Sequence, residues 1–145
     1  MNSCEILQAL RHINARHAGI YPADRVPRVE HWVAFFLDEH GSATYFDSYE
    51  IPPVHPGFLL RLRRNSIIHG WNTRQLQGIF SQTYGHYSCV FLYYMCNGYN
   101  LNRFLSLFTE DCEHNDRLIV RLFHKIFLFF TKKETNDLYA MRCYV

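Results

Sequence analysis

The chain has 145 residues, enough for one domain with a single buried core. Hydrophobic residues make up 48% and aromatics 17%, which excludes a disordered chain. Net charge is +2, from 15 Lys and Arg against 13 Asp and Glu, so charge gives no ground for a nucleic-acid partner.

The five cysteines, Cys4, Cys89, Cys96, Cys112 and Cys143, are odd in number and irregularly spaced. That is a poor disulfide framework, and reduced thiols in an intracellular setting are expected. No CxxC occurs and no Cys/His pair has zinc-ligand spacing, so no metal or cofactor is expected. The first residues, MNSCEILQALRHINARH, lack the apolar stretch of a signal peptide. The most apolar run, 118–130, is broken by Arg121, His124 and Lys125 and is too short to span a bilayer. It reads as a buried amphipathic helix, and no membrane partner is expected.

In chain order, residues 3–14 read as a helix, with Ile6, Leu7, Leu10 and Ile13 at helical spacing. GIYPADRVP, 19–27, reads as loop or extended chain because of its two prolines and its glycine. HWVAFFL, 31–37, is apolar throughout and predicts a strand buried on both faces. DEHGS is a turn, and ATYFDSY, 43–49, is a second strand antiparallel to the first. Residues 57–65, GFLLRLRRN, predict a short helix with a basic, solvated face, too short a run to support nucleic acid. A short strand is expected over 72–77. A central helix is expected over 84–97, closed by Asn97-Gly98. A helix over 101–108 is capped by Asn100, and Asn115 caps a last helix over 116–130. The pattern is α+β, one domain over 1–145 with its core at about 19–130 and a peripheral tail over 131–145.

Two strand positions carry candidate chemistry. His31 opens one strand, Asp47 lies late on the next, and 16 residues with a turn bring them near each other. A His and an acid in contact are the base and its orienting group in a nucleophilic triad. A His before Trp at the start of a buried strand also reads as a core histidine. Downstream, Gln77 stands seven residues before Tyr84, which precedes Gly85 at a predicted helix start.

The order HWVAFFL, hairpin, YFDSY, then LQGIFSQTYGHY resembles the adenovirus-type cysteine endopeptidases (adenain). It is most similar to those of Maverick/Polinton transposons and related viruses. The Ulp-type proteases share the His-acid-Gln-Cys order more distantly. GIYPADRVP, FDSYEIPP and HNDRLIVRLF extend the resemblance over about residues 19–125. It implies a papain-like fold, with a small antiparallel sheet packed with helices, and a protein or peptide substrate. It implies His31 as general base, Asp47 as its orienting acid and Gln77 as an oxyanion donor. It also implies a location inside the cell, or in the virion for a viral protein.

The chain departs from that family twice. The position of the nucleophilic cysteine holds Tyr84. A phenol is almost wholly protonated at neutral pH, and its oxygen lies too far from the backbone to replace a thiolate. Loss of a triad nucleophile costs on the order of a millionfold in rate. A shifted register offers an alternative, because Gln82 is seven residues before Cys89. Cys89 precedes Val, not Gly, and sits in an apolar stretch that favours an inert thiol. The second departure is the short passage ADRVPRVEHW, which lacks room for a strand the family has before the His strand. Its loss predicts either an exposed edge beside HWVAFFL or a truncated product. The readings are therefore a pseudoprotease, an endopeptidase using Cys89, or a relic without function.

Overall fold

The computed structural model of the chain describes the backbone of residues 15–22 and 31–142 and the side chains of 31–128. Four strands form one sheet in the order β1-β2-β3-β4: β1 (Ala15–Pro22), β2 (Trp32–Asp38), β3 (Ser42–Phe46) and β4 (Ile68–Trp71). β1 and β3 flank β2 antiparallel, and β4 runs parallel to β3. A parallel neighbour needs a crossover, and the crossover here carries α1 (Pro56–Asn65). Then come α2 (Tyr84–Cys96), α3 (Leu101–Leu105) and α4 (Cys112–Arg142). The fold is α+β.

β2 is the central strand, and its apolar run is buried on both faces. Alternation sends Val33 and Phe35 to one side, where they meet Ala43, Tyr45, Leu62 and Phe58 under α1. It sends Ala34 and Phe36 to the other side, toward α2 and α4. There Phe46 stacks on Phe91 at 4.7 Å, and Phe104 meets both rings edge-on. Every α2 residue from Tyr87 to Leu92 is buried, as its lack of a polar stripe predicts.

Local chemistry sets the ends. The β2–β3 turn closes because the Asp38 carboxylate accepts from the N–H groups of His40 and Ser42, and Gly41 takes φ +81°. α2 ends at Asn97 and Gly98, whose φ is also +81°, as the Asn-Gly pair predicts. The Asn100 side chain caps α3 by accepting from the Arg103 N–H.

Four expectations need correction. The His strand has no bare edge on its N-terminal side, since β1 pairs with β2 from Pro22↔Trp32 to Ala15↔Asp38. β1 takes in 19–22, the extended alternative for this stretch, and Pro22 lies at the strand end, where a missing N–H is tolerated. Residues 72–77 are not a strand. β4 ends at Trp71, and the chain then runs irregularly. α3 stops at Leu105, short of Phe108, where the Arg74 guanidinium takes the carbonyls of Leu105 and Phe108. α4 begins at Cys112, because Asp111, not Asn115, caps it by accepting from the His114 N–H. It runs on through Arg142, so much of the expected tail is helix. The helix expected over 3–14 lies outside the described residues.

Candidate functional site

The β2–β3 register pairs Ala34 with Phe46 and then stops. Continued, it would set Val33 against Asp47 and His31 against Tyr49. Asp47 instead turns out of the ladder. Its Oδ1 accepts from the Tyr49 N–H at 2.8 Å, an Asx turn. The Glu50 N–H returns to the Asp47 carbonyl at 3.0 Å, and Glu50 takes φ +68°. This turn frees Oδ2 to meet His31 Nε2 at 2.7 Å. Both residues are buried, His31 at 7% and Asp47 at 1% exposure.

Asn72 fixes the backbone of Asp47 from both sides. Its Oδ1 accepts from the Asp47 N–H at 3.0 Å, and its Nδ2 donates to the Asp47 carbonyl at 2.6 Å. Nδ2 also donates to the Arg74 carbonyl at 3.2 Å. Behind His31, Ser88 Oγ donates to the Trp32 carbonyl at 3.3 Å, tying the start of β2 to α2.

An ionised carboxylate only accepts, so His31 Nε2 carries the proton that it shares with Asp47. Nδ1 then bears the lone pair. It is buried and has no partner among the described residues. Two aromatic rings stand against the imidazole, Tyr49 at 5.2 Å and Tyr84 at 5.9 Å edge-on. Tyr84 is the first residue of α2, so His31, Asp47 and Tyr84 converge at that helix's N-terminus. Burial, followed by the charges of Asp116, Tyr84 and Asp47, pushes the Tyr49 phenol above its ordinary range.

Gln77 is fully buried one layer behind this group. Its Oε1 accepts from Ser48 Oγ at 2.6 Å. Its Nε2 donates to Tyr49 Oη at 3.1 Å and to the Ser81 carbonyl at 2.8 Å. Both amide hydrogens are thus committed, leaving none for a neighbouring oxyanion. The N–H groups of Leu76 and Gln77 both reach the Ser48 carbonyl, so the Gln segment is laced to the Asp47 turn.

The loop from Gly78 to Thr83 is held from α4. Asp116 accepts from the Gly78 N–H at 3.1 Å, from Thr83 Oγ1 at 2.9 Å and from Tyr87 Oη at 3.2 Å. Burial and the neighbouring Asp116 carboxylate push the Tyr87 phenol strongly upward. Asn115 donates to the carbonyls of Leu76 and Thr109. The loop thus has a fixed backbone, yet it presents Ile79 at 76% and Phe80 at 99% exposure.

Cys89 sits in the second turn of α2, within the core cluster. Burial pushes its thiol up to about 12 and that of Cys96 up to about 11. Gln82, its partner in the shifted register, is exposed.

Sequence reasoning missed Ser48, Tyr49, Asn72 and Asp116. The Asp-Ser pair after a strand is a turn signal that pointed at Asp47 leaving the ladder. Asn72 and Asp116 carried no local signal, because each acts on a segment 25 or more residues away.

Among the described residues, no group of three or more His, Cys, Asp or Glu could hold a metal ion. No helix among them is long and apolar enough to cross a membrane. Comparison with known protein families and with curated proteins finds no match to this chain.

Proposed function

We propose that this chain is a homologue of the adenovirus-type cysteine endopeptidases, of viral or transposon origin, with a papain-like fold. In it Tyr84 has replaced the nucleophilic cysteine, and the protein acts as a pseudoprotease that holds a peptide without cleaving it. The reading rests on the ordered sequence motifs. The observation that carries it is the His31–Asp47 contact at 2.7 Å, with Nδ1 unpartnered beside the first residue of α2. A base oriented through one nitrogen, with its other nitrogen facing a helix N-terminus, is the arrangement a thiolate needs.

Catalysis by Cys89 is disfavoured. A thiol pushed up to about 12 is almost wholly protonated at neutral pH, and Cys89 is packed in the core. Gln77 serves here to bracket the loop, which agrees with a site no longer needing an oxyanion donor. The residual role is binding, at a surface inside the cell or in a virion.

The test is Tyr84→Cys. The variant is expected to react with iodoacetamide at position 84 faster than an exposed thiol does, and His31→Ala in that background should remove the excess. Mass spectrometry of the labelled peptides reads both. A folded Tyr84→Cys protein whose new thiol behaves as an ordinary surface cysteine would sink the reading. A cooperative thermal transition of the wild-type chain counts against a decayed relic.

A further inference from the structure

We propose that this chain associates with a second copy of itself, by seating the Ile79–Phe80 turn of one copy in a groove beside α1 of the next. The contact stands apart from the His31 site and does not rest on the protease reading.

The turn is a rigid apolar knob. The Ser81 N–H returns to the Gly78 carbonyl at 3.0 Å, so Ile79 and Phe80 are the two central residues of a β-turn. Such positions ordinarily take Gly, Pro, Asn, Asp or Ser. Here they carry two large apolar side chains, 76% and 99% exposed. The backbone on either side is tied down. The Ser81 carbonyl accepts from Gln77 Nε2 at 2.8 Å and from Tyr49 Oη at 3.0 Å, and the Gly78 N–H donates to Asp116 at 3.1 Å. An aromatic side chain on a fixed backbone loses little freedom when a partner buries it, and such residues anchor interfaces.

The groove lies on the other side of the sheet. A cavity of about 380 Å³ opens between α1 and the strands. Gly57, Leu60, Arg61 and Arg64 line it from α1, at the i, i+3, i+4 and i+7 spacing of one helix stripe. Phe35 and Ala43 line it from β2 and β3. Phe58 and Leu62, on the neighbouring stripe, hold α1 to the same sheet face, so the wall stands without an occupant. A cavity of this size takes an aromatic side chain, since small-molecule pockets start at about 300 Å³.

Charge selects the partner. The knob is fastened to the start of α4, where Glu110, Asp111, Glu113 and Asp116 stand against a single Arg, Arg117. The groove carries Arg61 and Arg64, with no acid among the described residues that line it. An apolar tip on an acidic base therefore matches an apolar groove with a basic rim. An anionic lipid surface would be repelled by the same acids. α1 packs on the Val33 and Phe35 face of the sheet and α4 on the Ala34 and Phe36 face, so the knob faces away from the groove of its own chain. The contact is heterologous, and its repetition builds rings or open chains.

The experiment is sedimentation velocity of the full chain across a concentration series. Wild type is expected to sediment faster as concentration rises, and the effect should shrink in high salt, which screens the exposed charges. Phe80→Ser and Leu60→Glu should each weaken association about tenfold or more. Both positions are exposed, at 99% and 48%, so both variants should keep the wild-type Tm. Arg64→Glu repeats the groove test through charge alone. Phe80→Ser keeps its groove and Leu60→Glu keeps its knob, so an equimolar mixture should form pairs and nothing larger. Wild type that stays monomeric throughout the series overturns the proposal. Association untouched by Phe80→Ser overturns the knob, and association untouched by both Leu60→Glu and Arg64→Glu overturns the groove. Two monomeric variants that fail to pair when mixed point to a symmetric contact and overturn the knob-in-groove arrangement.

Discussion

Asn72→Ala tests whether the His31–Asp47 contact is built by Asn72. The side chain makes three hydrogen bonds, with lengths of 3.0, 2.6 and 3.2 Å, two of them to the backbone of Asp47. At about 1 kcal/mol net each, their loss costs about 3 kcal/mol. Asp47 is 1% exposed, so water cannot reach its abandoned N–H, which adds to the cost, while its carbonyl keeps the Glu50 N–H. The expected loss is about 3–5 kcal/mol, since a stranded buried group costs about 1–3 kcal/mol by itself. That corresponds to a fall in Tm of roughly 10 °C or more for a domain of this size. Urea unfolding followed by tryptophan fluorescence measures it. In the Tyr84→Cys background the same change should slow alkylation at position 84 under conditions where the protein is still folded, because Asp47 no longer holds the ring of His31. A loss below about 1 kcal/mol, with alkylation unchanged, refutes the reasoning and shows that the turn from Asp47 to Glu50 stands without Asn72.

Gly78→Ala should destabilise the chain by about 1–3 kcal/mol, because the new Cβ would lie 2.9 Å from Asp116 Oδ2, a carboxylate held by three donors. Thermal unfolding reads it, and an unchanged Tm means that Asp116 can step aside. Cys89 and Cys96 should resist alkylation in the native chain, while the half-buried Cys112 reacts; peptide mapping of the labelled protein compares them. Burial raises the folded Cys89 thiol from 9.0 to about 12, so its contribution is complete below pH 9 and is lost as pH rises toward 12, and Cys89→Ala should flatten that alkaline limb in urea titrations. His86 behaves oppositely. Burial, then His124, lowers its folded value below 6.5, so the unfolded chain takes up the proton more readily and stability falls as pH drops below 6.5. His86→Phe should make the stability less sensitive to acid, and an unchanged slope would assign the acid sensitivity to other groups.

Much of the fold could be read from the chain where local signals and tertiary packing agree. HWVAFFL is uniformly apolar because β2 is covered on both faces, and the Asn-Gly pair closes α2 because Gly98 takes φ +81°. Sequence logic failed where a distant partner overrides composition. Gly19 and Pro22 left loop and extended chain both open, and only the backbone of β2, which offered a ladder for the segment to join, decided between them. Asn115 looked like a cap because it precedes an acid and an apolar run. In the fold it lies inside α4 and turns its amide to Leu76 and Thr109, and Asp111 does the capping. The approach of His31 to Asp47 was legible as a neighbourhood. The contact itself depends on a turn that leaves the register, and on an Asn 25 residues downstream.

The state of His31 separates the bland reading of this site from the functional one. A histidine kept only for packing would be expected to satisfy both ring nitrogens, since an unpartnered buried group costs about 1–3 kcal/mol. Asp47 satisfies Nε2 and nothing among the described residues satisfies Nδ1. The remaining surroundings make that cost hard to explain as accident. Ser48, Tyr49, Asn72 and Gln77 are all committed to one another or to backbone around the Asp47 turn, in a network with few loose ends. Such a network rigidifies whatever it surrounds. What it surrounds is an oriented imidazole with one free lone pair, aimed at a helix start where a tyrosine stands. Tyr84 cannot be the group that the lone pair serves, because its hydroxyl makes no hydrogen bond to Nδ1 although the two rings are 5.9 Å apart. The free lone pair of Nδ1 therefore awaits a hydrogen-bond donor that enters the site.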